Sequence, residues 1–150
     1  MNCNRRGVTL IELLLVMALI GIIMTMAFPS MQPLLSKQTL KSDANKLAWT
    51  LRSTRQKAIT TGKPQMVKFY TSDMYYYNGE LIKLSDGIHY YIGDSFYNAQ
   101  LGGKICSFTS RGTPSQSGTI TMKDKHQQLI YVIVNPVGGR VRVSTEPPKI

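Results

Sequence analysis

RRGVTLIELLLVMALIGIIMTMAFP, residues 5–29, decides how the rest of the chain is read. Two arginines and a glycine precede an apolar run, residues 8–28, interrupted only by Thr9, Glu12, Gly21 and Thr25. As a helix the run would be about 31 Å long, enough to cross the hydrocarbon core of a bilayer. Arg5 and Arg6 place its start on the cytoplasmic side, because basic residues stay inside. Glu12 is the anomaly. A carboxylate within hydrocarbon costs roughly 2.5–3.5 kcal/mol on insertion scales, and such acids usually have a partner.

An ordinary signal peptide has a shorter apolar region followed by a small-residue cleavage site. Here no A-x-A pattern follows, and the run leads through Phe28 and Pro29 into a further helical pattern. Cys3 precedes the run, so there is no lipobox.

Arg6-Gly7 followed by Val8-Thr9-Leu10-Ile11-Glu12 resembles the leader junction of type IV pilins and pseudopilins. The resemblance implies cleavage after Gly7 by a dedicated prepilin peptidase and N-methylation of the new terminus, Val8. Phenylalanine or methionine is usual at that position, and Val8 departs from it. Glu12 becomes the fifth mature residue and Pro29 the twenty-second, both tied in the family to filament assembly. The implied partner of the Glu12 carboxylate is the terminal ammonium of a neighbouring subunit, which would compensate a charge that hydrocarbon makes costly. A signal anchor with a stray acid near its cytoplasmic end is the bland alternative.

The chain of 150 residues has room for one modest domain beyond this segment. A 43% hydrophobic and 17% charged composition fits a folded domain. Net charge is +10, and removing residues 1–7 with Arg5 and Arg6 leaves +8. A surplus of this size favours anionic partners such as nucleic acid, acidic lipid or cell-wall polymer, or an acidic neighbouring subunit. The two cysteines, Cys3 and Cys106, form no disulfide framework once the leader is gone. Cys106, in KICSF, reads as a buried core thiol.

Beyond Pro29, Leu40, Ala44, Leu47, Ala48, Leu51, Ala58 and Ile59 recur at helical spacing, and Gly62-Lys63-Pro64 is a stop signal. One helix is expected from about residue 8 to 61, bent or loosened near Gly21 and Pro29. Lys37, Lys41, Lys46, Arg52, Arg55 and Lys57 read as its solvated face. The period then falls to two, giving strands at 66–70, 74–77, 80–84, 88–92, 104–109, 119–123, 129–134 and 140–144. Asn78-Gly79 and NPVGG (135–139) read as hairpin turns. The expected fold is α+β, a long N-terminal helix packed against a small antiparallel β-rich head. Its parts are a leader (1–7), a transmembrane segment (8–28), an amphipathic continuation (29–62) and the head (63–150). Arg55, Ala58, Ile59 and Gly62, then Phe108 to Gly112, then Gly139 to Val143, resemble the GspH/FimT-type minor pilins.

No catalytic constellation is present. His89 and His126 stand apart in unlike contexts, no calcium loop or phosphate loop occurs, and neither metal nor cofactor is expected. In YYY (75–77) and HYYI (89–92), consecutive rings must face opposite sides of a strand. The outward ones are free for partner contacts or for stacking on bases, unless β-propensity alone explains them. Gly139-Arg140-Val141-Arg142 is the sharpest candidate. Arg140 and Arg142 share one face after a glycine-bearing turn, a fork suited to phosphate. The G-R-x-R pattern is similar to one linked to DNA binding in competence-associated minor pilins. Lys123 and Lys125, with Lys104, Arg111 and Lys149, would widen the patch if the fold gathers them; a polar outer face of a terminal strand fits the same residues.

The reading is thus a non-enzymatic minor pilin or pseudopilin that primes or caps a type IV pilus or a type II secretion pseudopilus. The resemblance implies other pilins, the peptidase and an inner-membrane assembly platform as partners. It also implies residence in the cytoplasmic membrane, head outward, and then in a filament. DNA capture for uptake and an unprocessed membrane-anchored adhesin are the alternatives.

Overall fold

The computed structural model describes residues 9–148, without the side chains of residues 26–30 and of Asp94. The expected leader (1–7), Val8 and Lys149 lie outside the described residues. The chain divides between Leu35 and Ser36 into two units. The helical assignment of α1, Leu10–Thr61, runs through Gly21 and Pro29 without a break. It ends at Gly62, whose φ of +64° is the left-handed conformation that closes helices.

In the first unit, Leu10, Ile11, Leu13, Leu14, Leu15 and Ile23 are all exposed, on every side of the helix. Among the described residues, no helix is long and apolar enough to cross a membrane. Val8 and the side chains of 26–28, which complete the expected crossing, are not among them.

In the second unit the head is built on the C-terminal half of α1. Leu40, Ala44, Leu47, Ala48, Leu51 and Ala58 are fully buried, and their spacing puts them on one face. That face packs into a core shared with Val67, Tyr75, Phe96, Phe108, Ile120 and Val132. Small residues on the stripe let the sheets approach closely. Thr50 and Thr54 are buried there too, and each hydroxyl is satisfied by donating to the carbonyl four residues back, at 3.0 and 2.7 Å.

Nine strands follow: β1 Gln65–Thr71, β2 Met74–Tyr77, β3 Glu80–Lys83, β4 His89–Ile92, β5 Tyr97–Asn98, β6 Gly103–Phe108, β7 Gly118–Lys123, β8 Leu129–Val134 and β9 Val141–Ser144. A 3-10 turn, Asp94–Phe96, precedes β5. The strands form two antiparallel sheets, ordered β3-β2-β1-β6-β5 and β4-β7-β8-β9. Eight match the sequence expectation to within a residue or two. β5, two residues long, is too short to show an alternating pattern. Asn78 and Gly79 take φ of 52° and 94°, the paired positive values of a tight hairpin turn between β2 and β3.

Two buried carboxylates fasten loops to the helix. Asp43 accepts from the Ser85 N–H at 2.7 Å and pairs with Lys46 at 3.4 Å. Asp124, in the β7–β8 turn, accepts from Ser36 Oγ at 2.7 Å and from the N–H groups of His126 and Gln128 at 2.9 and 2.8 Å. Burial disfavours the Asp124 carboxylate. The hydrogen bonds from Ser36, Gln128 and His126 outweigh it and hold the pKa below the usual aspartate value. Cys106 is fully buried and unpaired, and burial pushes its thiol up to about 12.

A carboxylate with a lowered folded-state pKa stabilises the fold above its unfolded value, and that contribution is lost as pH falls through the folded value. Thermal melts should therefore show stability declining from about pH 4 downward. Asp124→Asn should cost about 2 kcal/mol at pH 7 through weakened bonds to a charged acceptor. It should also remove part of the acid dependence, and parallel pH profiles for the two proteins would contradict the assignment.

Candidate functional site

The hairpin joining β8 to β9 carries the strongest concentration of chemistry in the head. Asn135 N–H donates to the Arg140 carbonyl at 2.9 Å, and the Asn135 side chain accepts from the Val137 N–H at 2.8 Å. These bonds fix a turn in which Gly138 and Gly139 take φ of +78° and +63°. From it Arg140 and Arg142 emerge exposed, while Val141 between them is buried. The fork expected from the sequence is therefore formed.

The helix contributes as much as the hairpin. Arg52 donates through Nε and Nη2 to the Val141 carbonyl, at 3.1 and 2.9 Å. β9 is an edge strand, and this carbonyl belongs to its open side, so the guanidinium covers a polar edge. One turn later, Arg55 Nε donates to the Gly112 carbonyl at 3.0 Å. The expectation that Arg52 and Arg55 belong to a merely solvated face is corrected here: bound strand and loop carbonyls hold both over the sheet edge.

Gly139 is required at this point for space as well as conformation. A Cβ on it would lie 2.5 Å from the Gly112 carbonyl oxygen and 3.2 Å from Arg55 Nε. A Cβ on Gly112 would meet Ile59 at 2.7 Å. Arg55, Ile59, Gly112 and Gly139 thus form one junction that locks the Thr109–Thr113 turn and the β8–β9 hairpin onto the helix.

Around this junction Arg52, Arg55, Arg140 and Arg142 line one open groove of about 540 Å³, with Asn135, Gly139 and Val141. No lining residue is acidic. Among the described residues the single ion pair, Lys46–Asp43, lies elsewhere. The carbonyl acceptors of Arg52 and Arg55 carry no net charge, so four positive charges surround the groove uncompensated. Such a site attracts a polyanion, and guanidiniums offer paired donors to phosphate oxygens.

The fold does not bring Lys123 and Lys125 into this patch. Arg142 is in register with Ile133, and Ile133 with Thr119, whereas Lys123 pairs with Leu129 at the other end of β7. Lys123 is thus roughly 13 Å along the strands and about 10 Å across them from Arg142. Lys125 lies beyond it in the turn. Arg111 adjoins Gly112 but does not line the groove, and Lys104 belongs to a different cleft.

At the other end of the chain, Gly7 and Val8 lie outside the described residues, as does the Pro29 side chain. Glu12 is exposed in the first turn of α1. Its N–H donates to the Thr9 carbonyl at 3.1 Å and to Thr9 Oγ1 at 3.4 Å. Thr9 and Glu12 therefore occupy the cap and third positions of a T-x-x-E capping pattern. Sequence reasoning assigned Glu12 only to a charge partner. The signal for this second role was Thr9, three residues earlier.

A family model described as the prokaryotic N-terminal methylation motif matches residues 2–28. It supports a type IV pilin-like protein, and the motif implies peptidase processing, assembly with other pilins, and a membrane-anchored subunit that passes into a pilus. No curated protein and no solved structure matches the chain.

Gly139→Ala should destabilise the head by about 2 kcal/mol, through backbone strain and the closed space at Gly112. Arg140→Ala and Arg142→Ala should stay within about 0.5 kcal/mol of wild type, because both side chains are exposed. Denaturant melts of the three variants test this separation of scaffold from surface, and equal losses would refute it.

Proposed function

We propose that the chain is a minor subunit of a type IV pilin-like filament, cut after Gly7 and N-methylated on Val8, whose head contacts DNA through the arginine groove. The methylation-motif match over residues 2–28 carries the first part. The exposed apolar surface of α1 around Leu10–Ile23 supports it, because water does not tolerate so much contiguous apolar area and a bilayer or a helical bundle does. In that setting α1 supplies the assembly surface and Glu12 meets the amine of a neighbouring subunit. Pro29 interrupts the apolar run where assembly requires it.

The convergence of Arg52, Arg55, Arg140 and Arg142 on one acid-free groove carries the second part. The sequence put two arginines on one face, and the helix supplies two more. A non-specific grip on the phosphate backbone is what this array provides, since it holds charge without a base-reading side chain. A subunit that primes or caps a pilus or a type II secretion pseudopilus, with the groove facing an acidic protein, is the reading that remains if DNA does not bind. The subfamily resemblance to GspH/FimT-type proteins favours both and decides neither.

Co-expression with a prepilin peptidase should give a mature protein whose mass begins at Val8. An intact Met1 or Asn2 terminus would instead support the unprocessed adhesin. Glu12→Ala should remain in membranes and be lost from sheared filaments, and normal incorporation would sink its assembly role.

Full-length protein titrated with duplex DNA should bind with an affinity that falls as salt rises. The Arg140→Ala/Arg142→Ala double variant should show a log–log slope shallower by about 2, one counterion per lost phosphate contact. An unchanged slope would remove the groove from the DNA reading.

A further inference from the structure

The exposed tyrosines are used neither by the core nor by the arginine groove. At the β4 edge of the head, β1, β6 and β4 border an open cleft of about 450 Å³. Phe69 and Tyr90 line it as buried rings in edge-to-face contact at 5.4 Å. Tyr70 and Tyr91 line it as exposed rings, 58% and 76% accessible. Lys68 Nζ sits 5.3 Å from the Tyr70 ring centre and Lys104 Nζ 5.6 Å from that of Tyr91. Lys104 also donates to the Ile92 carbonyl, which fixes its position without neutralising it. No lining residue is acidic. The nearby Asp73 carboxylate accepts from Thr71 Oγ1.

The sheet between this cleft and the arginine groove is continuous. Tyr91 is in register with Thr121, Thr121 with Tyr131, and Tyr131 with Ser144, one strand pairing after another. Arg142 shares the outer face of β9 with Ser144, two positions away. The four strands span three spacings, about 14 Å. The outer face thus carries Arg142 at one edge, Tyr131 within, and Tyr91 with Lys104 at the other edge, and only threonines lie on the path between them.

We infer that this face and the Tyr70–Tyr91 cleft form a stacking platform for single-stranded nucleic acid, entered from the arginine groove. The inference deepens the DNA reading and rests on it. Bases in a duplex are stacked on each other and offer no free face, so exposed tyrosines can engage them only when the strand is single. Aromatic rings accept any base, and adjacent ammonium groups take the phosphates, which is the chemistry of sequence-tolerant single-strand grooves. A neutral sugar ring is disfavoured by the same lining. Fixing its hydroxyls needs carboxylates or side-chain amides, and the cleft has neither.

The test compares a labelled oligothymidylate of about 20 nucleotides, longer than one such site, with a duplex of the same length. Full-length protein in non-ionic detergent is used, at one salt concentration. Tyr91→Ala should weaken single-strand binding about fivefold or more and leave duplex binding unchanged, whereas Tyr91→Phe should retain both. Tyr91 is exposed, so an unaltered melting temperature confirms that folding is intact. Arg140→Ala/Arg142→Ala should weaken both ligands. Single-strand affinity unaffected by Tyr91→Ala would overturn the platform and leave the groove standing. Wild-type protein that binds neither DNA would overturn the DNA reading and the platform with it. Tyrosine-dependent binding to dextran sulfate but not to oligothymidylate would overturn the nucleic-acid assignment in favour of an anionic glycan.

Discussion

Arg55 occupies the one place in the head where three distant parts of the chain must coincide. Its Nε reaches the Gly112 carbonyl, and the missing Cβ of Gly139 leaves the room that lets both loops close on it. Ile59, one turn further along α1, fills the space beside Gly112. The two glycines are held at φ of +79° and +63°, where another residue would be strained, and the close approach excludes a side chain at either. From this junction the rest of the functional end follows. The hairpin is pinned at its base, β9 leaves it with Val141 inward, and Arg140 and Arg142 are obliged to face out.

The same junction explains why a site of one sign survives folding. Four guanidiniums gathered without a carboxylate repel one another, and a free arrangement would spread them through solvent. Arg52 and Arg55 instead donate to backbone carbonyls that the fold would otherwise leave open at a sheet edge and in a loop. Hydrogen bonds to carbonyl dipoles offset part of the repulsion and leave the charge in place. An anion arriving in the groove gains from all four. A filament made of this chain alone would stack processed subunits of +8 upon one another. A protein with such a balance suits a scarce position among less basic subunits better than a repeated one.

Most of the architecture was legible because it is periodic. The change from a spacing of three and four before Gly62 to two after it separated helix from strands, and Asn78-Gly79 marked its hairpin from two residues alone. The division into two sheets was not legible. β3 and β4 are neighbours in sequence, yet β4 leaves its predecessors and pairs with β7, a choice made by the core and not by the local pattern. The arginine groove was half legible. Arg140 and Arg142 announced themselves by alternation, whereas Arg52 and Arg55 looked like the lysines around them, and only the crossing of helix and hairpin distinguishes them. Lys123 and Lys125 failed for the converse reason: nearness in a basic count said nothing of register, and register puts them at the far end of β7.

Glu12 shows how a local role and a collective one can rest on one residue. Thr9 and Glu12 cap the start of α1, and the first turn of a helix favours a negative charge on any chain. That contribution needs no partner subunit and would be present in a monomer. It does not by itself account for an acid in so apolar a stretch, because a helix end is capped as well by a neutral threonine. What the cap does is order the turn and fix the backbone from which the carboxylate projects. A charge meant for a neighbour's amine costs less to pair when its own backbone is already ordered, since less freedom is lost at the moment of contact. The capping pattern and the assembly role are therefore complementary, and a substitution that kept the charge but lost Thr9 would separate them.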